Sequence, residues 1–301
     1  MSNKIIRSPL FYVGDKYKLM NQLIDLFPKK VNNFHEPFVG GGTVFLNINA
    51  EKYYLNDIDK NLIGIHRFLI ESSKNPREFF SGIEKTIYRY NLSRSFKEDV
   101  IPDSLKKKWK KTYFARFNKI GYEKLREHVN QNQQNNPLIL YILLIYGFNR
   151  MLRFNGGGHF NLPVGNVDFN KNVVNALNNY FETVKNRKIF ISSEDFRKYF
   201  SGKKFFRNDF VYLDPPYLIS ASEYNKLWNA NSEFELLSLI DKLNEKNIKF
   251  ALSNVTHYNG SKNDLLIKWM KKYKVHKIDS NYINYHDNRQ KNINEVLVTN
   301  Y

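Results

Sequence analysis

The chain predicts an α/β fold: a doubly wound sheet interrupted by an inserted, mainly helical domain. Three observations carry that reading. Residues 33–71 run strand, glycine loop, helix, strand, acid, which is one βαβ unit. Residues 72–186 are helical, polar and basic. From Lys188 onward, short apolar runs alternate again with helical patterns.

The elements follow in order. Tyr17, Met20, Leu23, Ile24 and Phe27 recur at helical spacing, predicting a helix over Lys16–Phe27. Asn33–Phe38 predicts a strand that runs into Val39-Gly40-Gly41-Gly42. Thr43 onward resumes as a helix, Tyr53–Leu55 predicts a second strand, and Ile58–Glu71 a third helix. Leu138–Phe148 is the longest apolar run; it is too short to span a bilayer and predicts a buried helix. Strands are predicted at Lys188–Ser192, Phe210–Leu213, Lys249–Ser253 and Glu295–Thr299. Ser232 and Glu235 have capping-box spacing, which places an N-cap at Ser232. The expected boundaries are a first domain of residues 1–71 plus 187–301 and an insert of 72–186.

The 301 residues carry 47 Lys+Arg against 29 Asp+Glu, a net charge of +18. Residues 63–186 hold 20 basic and 10 acidic residues, so the insert region supplies more than half of that excess. Such a balance suits a polyanion partner. No cysteine is present, which excludes disulfides, thiolate zinc sites and a cysteine nucleophile. The seven histidines lack metal-ligand spacing, so no metal is expected. The first residues contain no apolar signal-peptide core, and the cytoplasm is the expected compartment.

Two motifs carry chemistry. Asp214-Pro215-Pro216-Tyr217 follows the apolar run Phe210–Leu213. Two prolines end the strand there. They hold a carboxylate and an aromatic ring at its carboxyl end, where open α/β sheets bind ligands. Glu36-Pro37-Phe38-Val39-Gly40-Gly41-Gly42 is the second motif; glycines after a strand let a ligand approach the backbone at a helix N-terminus. Phe45 stands where a dinucleotide fingerprint needs glycine, and the phosphate-loop motif is absent. Asp57 lies 21 residues after Glu36, at the end of the next strand, where an acid can bind both hydroxyls of a ribose. A nucleoside cofactor without pyrophosphate fits, and S-adenosylmethionine is one.

Asp214–Tyr217 matches the [DNS]-P-P-[YFW] motif of amino-group methyltransferases. With Phe11–Tyr17, the Glu36–Asn47 segment, Asn56-Asp57-Ile58, Gly147–Gly165, Asp195-Phe196, Leu252-Ser253-Asn254 and Glu295-Val296-Leu297, the chain resembles Dam-type DNA adenine-N6 methyltransferases of the D12 class. The resemblance implies a Rossmann-like methyltransferase sheet with an inserted DNA-recognition domain. It implies that Tyr12, Lys16, Glu36, Phe38, Gly40 and Gly42 line the cofactor site, that Asp57 binds the ribose, and that Asp195 and Phe196 sit against the adenine. Asp214 would border both cofactor and target base. One departure is Phe11, where members often carry a lysine that can touch DNA. Residues 72–140 match no motif.

Asn149, Arg150, Arg153, Asn155 and Asn161 surround Gly156-Gly157-Gly158. Arg and Asn supply bidentate contacts to base edges; the same composition also suits a polar hairpin with capping asparagines. The resemblance favours DNA contact. The Lys106–Lys111 run suits either a phosphate-contacting or a merely solvated face.

The expected reaction flips an adenine out of duplex DNA. Tyr217 stacks on it, and the Asp214 carboxylate and Pro215 carbonyl accept hydrogen bonds from its N6 amino group. Methyl transfer is then direct and in line. GATC, the commonest target of such enzymes, is the expected site, and a cognate restriction endonuclease is an expected partner. Cytosine-N4 methylation and non-catalytic nucleic-acid binding are the alternatives; the absence of cysteine excludes cytosine-C5 methylation.

Overall fold

The computed structural model describes residues 4–98, 100–132, 136–220, 228–279 and 293–301. The chain forms two compact units, one of residues 1–17, 40–46 and 59–187, the other of residues 18–39, 47–58 and 188–301.

The second unit holds the sheet. Its strands are β1 (Asn33–Glu36), β2 (Lys52–Asn56), β3 (Lys188–Ser192), β4 (Phe210–Leu213), β5 (Lys249–Tyr258), β6 (Ser261–Lys262), β7 (Lys274–Ile278) and β8 (Ile293–Thr299). Their order is β3-β2-β1-β4-β5-β8-β7, with β6 paired to β5. The first five pair in parallel; β8 runs antiparallel between β5 and β7. All four residues of β4 are buried, as expected of a parallel strand covered on both faces. From β1 the chain winds outward to β2 and β3, then returns to β4 on the other side of β1. The order therefore reverses between β1 and β4, the crevice where open α/β sheets bind ligands.

Helices α1 (Met20–Leu26), α9 (Phe196–Ser201), α10 (Ala230–Glu245) and α11 (Asp264–Trp269) belong to this unit. Its core joins Val211 and Leu213 of β4 and Phe250 and Leu252 of β5 to Leu236, Leu237, Ile240 and Leu243 of α10 and Leu266 and Trp269 of α11.

The first unit is helical: α2 (Thr43–Asn47, its last residue in the other unit), α3 (Lys60–Ser72), α4 (Pro76–Arg89), α5 (Asp103–Trp109), α6 (Tyr113–Asn132), α7 (Pro137–Tyr146) and α8 (Lys171–Val184). Asp59 caps α3 by accepting from the Asn61 and Leu62 amides, and Asn170 caps α8 in the same way. Every residue of α7 from Leu140 to Tyr146 is buried, as its unbroken apolar run predicts. Phe79 of α4 meets Tyr141 of α7 and Phe181 of α8. No helix among the described residues is long and apolar enough to cross a membrane.

Four local expectations are corrected. The Lys16–Phe27 helix begins as a 3-10 turn, Tyr17–Leu19, before α1. The first strand stops at Glu36, because Pro37 has no amide to donate. The N-cap of α10 is Asn229, whose side chain accepts from the Ser232 amide; Ser232 lies inside the helix. The Lys249–Ser253 strand continues to Tyr258. Residues 130–136, Asn-Gln-Asn-Gln-Gln-Asn-Asn, are rich in Asn and Gln, and 133–135 of them lie outside the described residues.

Candidate functional site

The carboxyl edge of β1, β2 and β3 is organised by one buried side chain. Asn56, the last residue of β2, donates from Nδ2 to the carbonyls of Pro37 (3.1 Å) and Glu194 (2.9 Å). Its Oδ1 accepts from Ser192 Oγ (2.9 Å) and the Glu194 amide (3.0 Å). Its carbonyl accepts from the Val39 amide at 2.8 Å. The loops after three adjacent strands are thereby fastened together, and Asp57 is the next residue along. Sequence reasoning reached Asn56 only as a neighbour of Asp57. Asn56→Ala would strand several buried partners, each worth about 1–3 kcal/mol. A loss of about 2–4 kcal/mol is expected from urea unfolding; an unchanged midpoint would remove Asn56 from this role.

Those fastened loops present an aromatic cluster. The rings of Phe38 and Phe196 lie 5.7 Å apart, and each meets Trp228, at 5.9 and 5.5 Å. The indole N–H of Trp228 points to Glu233 Oε2 at 3.5 Å, and Asn263 Nδ2 donates to Glu233 Oε1 at 2.7 Å. Burial raises the Glu233 carboxyl above its usual range. Trp228 was not anticipated; it lies in no motif, and only its packing identifies it. Asp195 is the N-cap of α9 and accepts from the Arg197 amide at 2.8 Å. Arg197 pairs with Asp195 and Glu235, and its guanidinium lies 4.5 Å from the centre of the Phe196 ring. Asp57 is half-buried just beyond β2, and Glu36, at the end of β1, is buried. Apolar rings and a hydrogen-bond-accepting carboxylate at the ends of adjacent strands are chemically suited to a purine and its ribose.

Asp214 leaves β4 half-buried, and Pro215 is buried. The Tyr217 hydroxyl lies 3.0 Å from Asp214 Oδ1 and 3.3 Å from Glu295 Oε1. A carboxylate, a proline carbonyl and a ring thus share one short segment beside the β1–β4 reversal.

In the helical unit, Tyr12 and Lys16 are buried. The Asp15 amide donates to the Tyr12 carbonyl, and Asp15 Oδ1 accepts from the Tyr17 amide. The glycine loop is tight. A Cβ on Gly41 would stand 2.9 Å from Tyr12 Cβ, and Gly42 has φ +76°. Ser8 Oγ donates to the Gly41 carbonyl. The Gly40 carbonyl lies 2.8 Å from His66 Nε2. Burial holds the His66 imidazole down at about 4, so it is neutral at pH 7 and donates this bond.

Gly147–Gly165 is a hairpin. Phe154 bridges Phe160, Gly147 bridges Val164, and the Asn161 amide donates to the Arg153 carbonyl. Asn155 closes the tip by accepting from the Gly157 and His159 amides. Arg153 reaches across to Asn161 with two bonds of 2.9 Å. Asn130 of α6 holds the returning arm, donating to the Phe160 carbonyl and accepting from its amide. That gives the otherwise motif-free 72–140 region one task, the support of the hairpin. Asn149 and Asn161 are exposed. Arg150 is different: it is half-buried, with its guanidinium 4.2 Å from the centre of the Phe11 ring. Burial lowers it to about 10. Arg7 lies over the same ring at 4.5 Å, so two guanidinium groups approach Phe11.

Among the described residues no cluster of three His, Cys, Asp or Glu side chains is placed to hold a metal.

The chain has relatives among known proteins. The chain is 35% identical to the modification methylase StsI of Streptococcus sanguinis and 34% identical to the type II methyltransferase M.FokI of Planomicrobium okeanokoites, over its whole length and 44% of theirs. It thus spans under half the length of these two relatives. It is 29% identical to the DNA adenine methylase of Haemophilus influenzae, over 84% of this chain and 83% of that protein. The family model for D12 class N6 adenine-specific DNA methyltransferases matches residues 12–283, and the chain belongs to that family.

Proposed function

We propose that the protein transfers a methyl group from S-adenosylmethionine to N6 of an adenine flipped out of duplex DNA. The observation that carries this reading is the placement of Asp214-Pro215-Pro216-Tyr217 at the end of β4, beside the strand-order reversal. Adenine N6 is a poor nucleophile, because its lone pair is delocalised into the ring. Two acceptors, the Asp214 carboxylate and the Pro215 carbonyl, draw its hydrogens out of that plane and free the lone pair. Tyr217 stacks on the base. The bound cofactor supplies an electrophilic sulfonium methyl. Phe38 and Phe196 would flank its adenine, with Asp195 beside them, and Asp57 would take both ribose hydroxyls. Tyr12, Lys16, Glu36, Gly40 and Gly42 keep the cofactor role that family membership implies.

In this reading residues 1–71 and 187–301 form the catalytic domain and 72–186 the target-recognition domain. The Gly147–Gly165 hairpin enters a DNA groove, with Asn149, Arg150, Arg153, Asn155 and Asn161 as its contacts. The cytoplasm is the compartment. Relatives named as a modification methylase and a type II methyltransferase support a restriction endonuclease acting at the same site. GATC is the first target to test. Tritiated methyl transfer to duplex DNA, followed by methylation-sensitive sequencing, tests activity and target together. No transfer to any duplex overturns the reading, and methylation confined to another sequence overturns GATC.

Arg153→Ala separates two kinds of contact. A base reader loses about 1–3 kcal/mol of discrimination at one position. A phosphate contact weakens all sequences alike and lowers the salt slope by about one. We expect the first outcome, because Asn161 already fixes the Arg153 guanidinium in a defined plane. Binding to cognate and single-mismatch duplexes across a salt series decides it.

A further inference from the structure

We propose that Glu295 is a positioning residue for the target base, its buried carboxylate anchoring the Tyr217 ring through the phenol oxygen. The proposal rests on the reading of Asp214 and Tyr217 as the adenine site. Stacking needs only the face of the ring; the motif accepts Phe or Trp at that position, so the hydroxyl is not there to stack. In this chain it lies between two carboxylates, 3.0 Å from Asp214 Oδ1 and 3.3 Å from Glu295 Oε1.

The one phenol hydrogen is shared between two acceptors that come from different parts of the sheet. Asp214 follows the last residue of β4, whereas Glu295 lies near the start of β8, opposite Val255 of β5 and Ile278 of β7. Because β8 runs antiparallel, its beginning lies at the edge where the parallel strands end. Glu295 therefore reaches the Asp214 loop from the far side of β5. Its residue is only 2% exposed, and a carboxylate is buried at a cost that hydrogen bonds must offset. A ring held at both Cβ and the phenol oxygen cannot swing, and one that cannot swing keeps the stacked base in line for transfer.

The test uses Glu295→Ala, Glu295→Gln, Tyr217→Phe and the double variant Tyr217→Phe/Glu295→Ala. Each is assayed for methyl transfer to duplex DNA and for fluorescence of a duplex carrying 2-aminopurine at the target adenine. Glu295→Ala should lower kcat roughly tenfold, the worth of one hydrogen bond involving a charged group, with KM for DNA nearly unchanged. Tyr217→Phe should lose at least as much, because it also gives up the Asp214 contact, and the double variant no more than Tyr217→Phe, because Glu295→Ala then has no phenol left to release. Glu295→Gln keeps a carbonyl acceptor and should restore kcat to within about threefold of wild type, with the wild-type fluorescence response. If Glu295→Ala does not fold, Tyr217→Phe and Glu295→Gln carry the test alone. Turnover unaffected by Glu295→Ala or by Tyr217→Phe overturns the proposal, as do losses that multiply in the double variant. A folded Glu295→Gln as impaired as Glu295→Ala also overturns it, and points to a carboxylate that carries a proton. A wild-type protein that methylates no adenine overturns the underlying reading too; active wild-type protein with insensitive variants overturns the anchor alone.

Discussion

Asp214→Ala is expected to lower the methyl-transfer rate by roughly 10²–10⁴-fold, the range spanned by losing one preorganised polar group in a reacting site. The carboxylate has two tasks. In the proposed reaction it accepts an N6 hydrogen, and in the structure it accepts the Tyr217 hydroxyl at 3.0 Å. Alanine removes both, leaving the Pro215 carbonyl as the one remaining acceptor of this motif. The fold should survive, because Asp214 is half-buried beyond the last residue of β4, and the proline pair still ends the strand. Asp214→Asn keeps one acceptor oxygen and should fall between alanine and wild type. Single-turnover transfer of tritiated methyl, with circular dichroism as the folding control, measures the effect. A folded alanine variant working near the wild-type rate would show that Asp214 does not face N6.

What could be read in the chain depended on how local each signal was. β3 and β4 run as predicted, because apolar runs bounded by polar residues or prolines need no partner to be legible. β7 escaped notice: Lys274-Val275-His276-Lys277-Ile278 is an edge strand whose lysines suit solvent, and edges are commonly kept polar. Asn229 and Ser232 are both good caps; the choice fell to Asn229, whose backbone is extended at φ −136°, ψ 176°, while Ser232 is already helical. Asp57 and Asp214 were legible because each follows a recognisable strand. Asn56 was not, because its partners Ser192 and Glu194 lie more than 130 residues away. Nothing near Glu295 in the sequence indicates the phenol it meets. Arg150 has a neighbour that its own segment does not announce: the folded chain stacks it half-buried on Phe11, a position where lysine would have left no ring.

Asp57→Ala is expected to weaken S-adenosylmethionine binding about ten- to hundredfold, equivalent to roughly 1.5–3 kcal/mol for hydrogen bonds to a charged acceptor. A vicinal diol presents two hydroxyl donors, and one carboxylate can accept both. The aim of that carboxylate is set by its neighbour: Asn56 has four side-chain bonds to the loops after β1 and β3, so the chain leaves β2 in one direction. Asp57 is half-buried, so its removal should cost less stability than that of the fully buried Asn56. Asn56→Ala should do the reverse, lowering stability first and affinity as a consequence. Titration calorimetry of both variants, beside their urea midpoints, separates a residue that touches the cofactor from one that aims it. Duplex affinity should be nearly unchanged in Asp57→Ala. If that variant binds the cofactor as tightly as wild type, the ribose is held elsewhere, and Asp57 is only the polar end of β2.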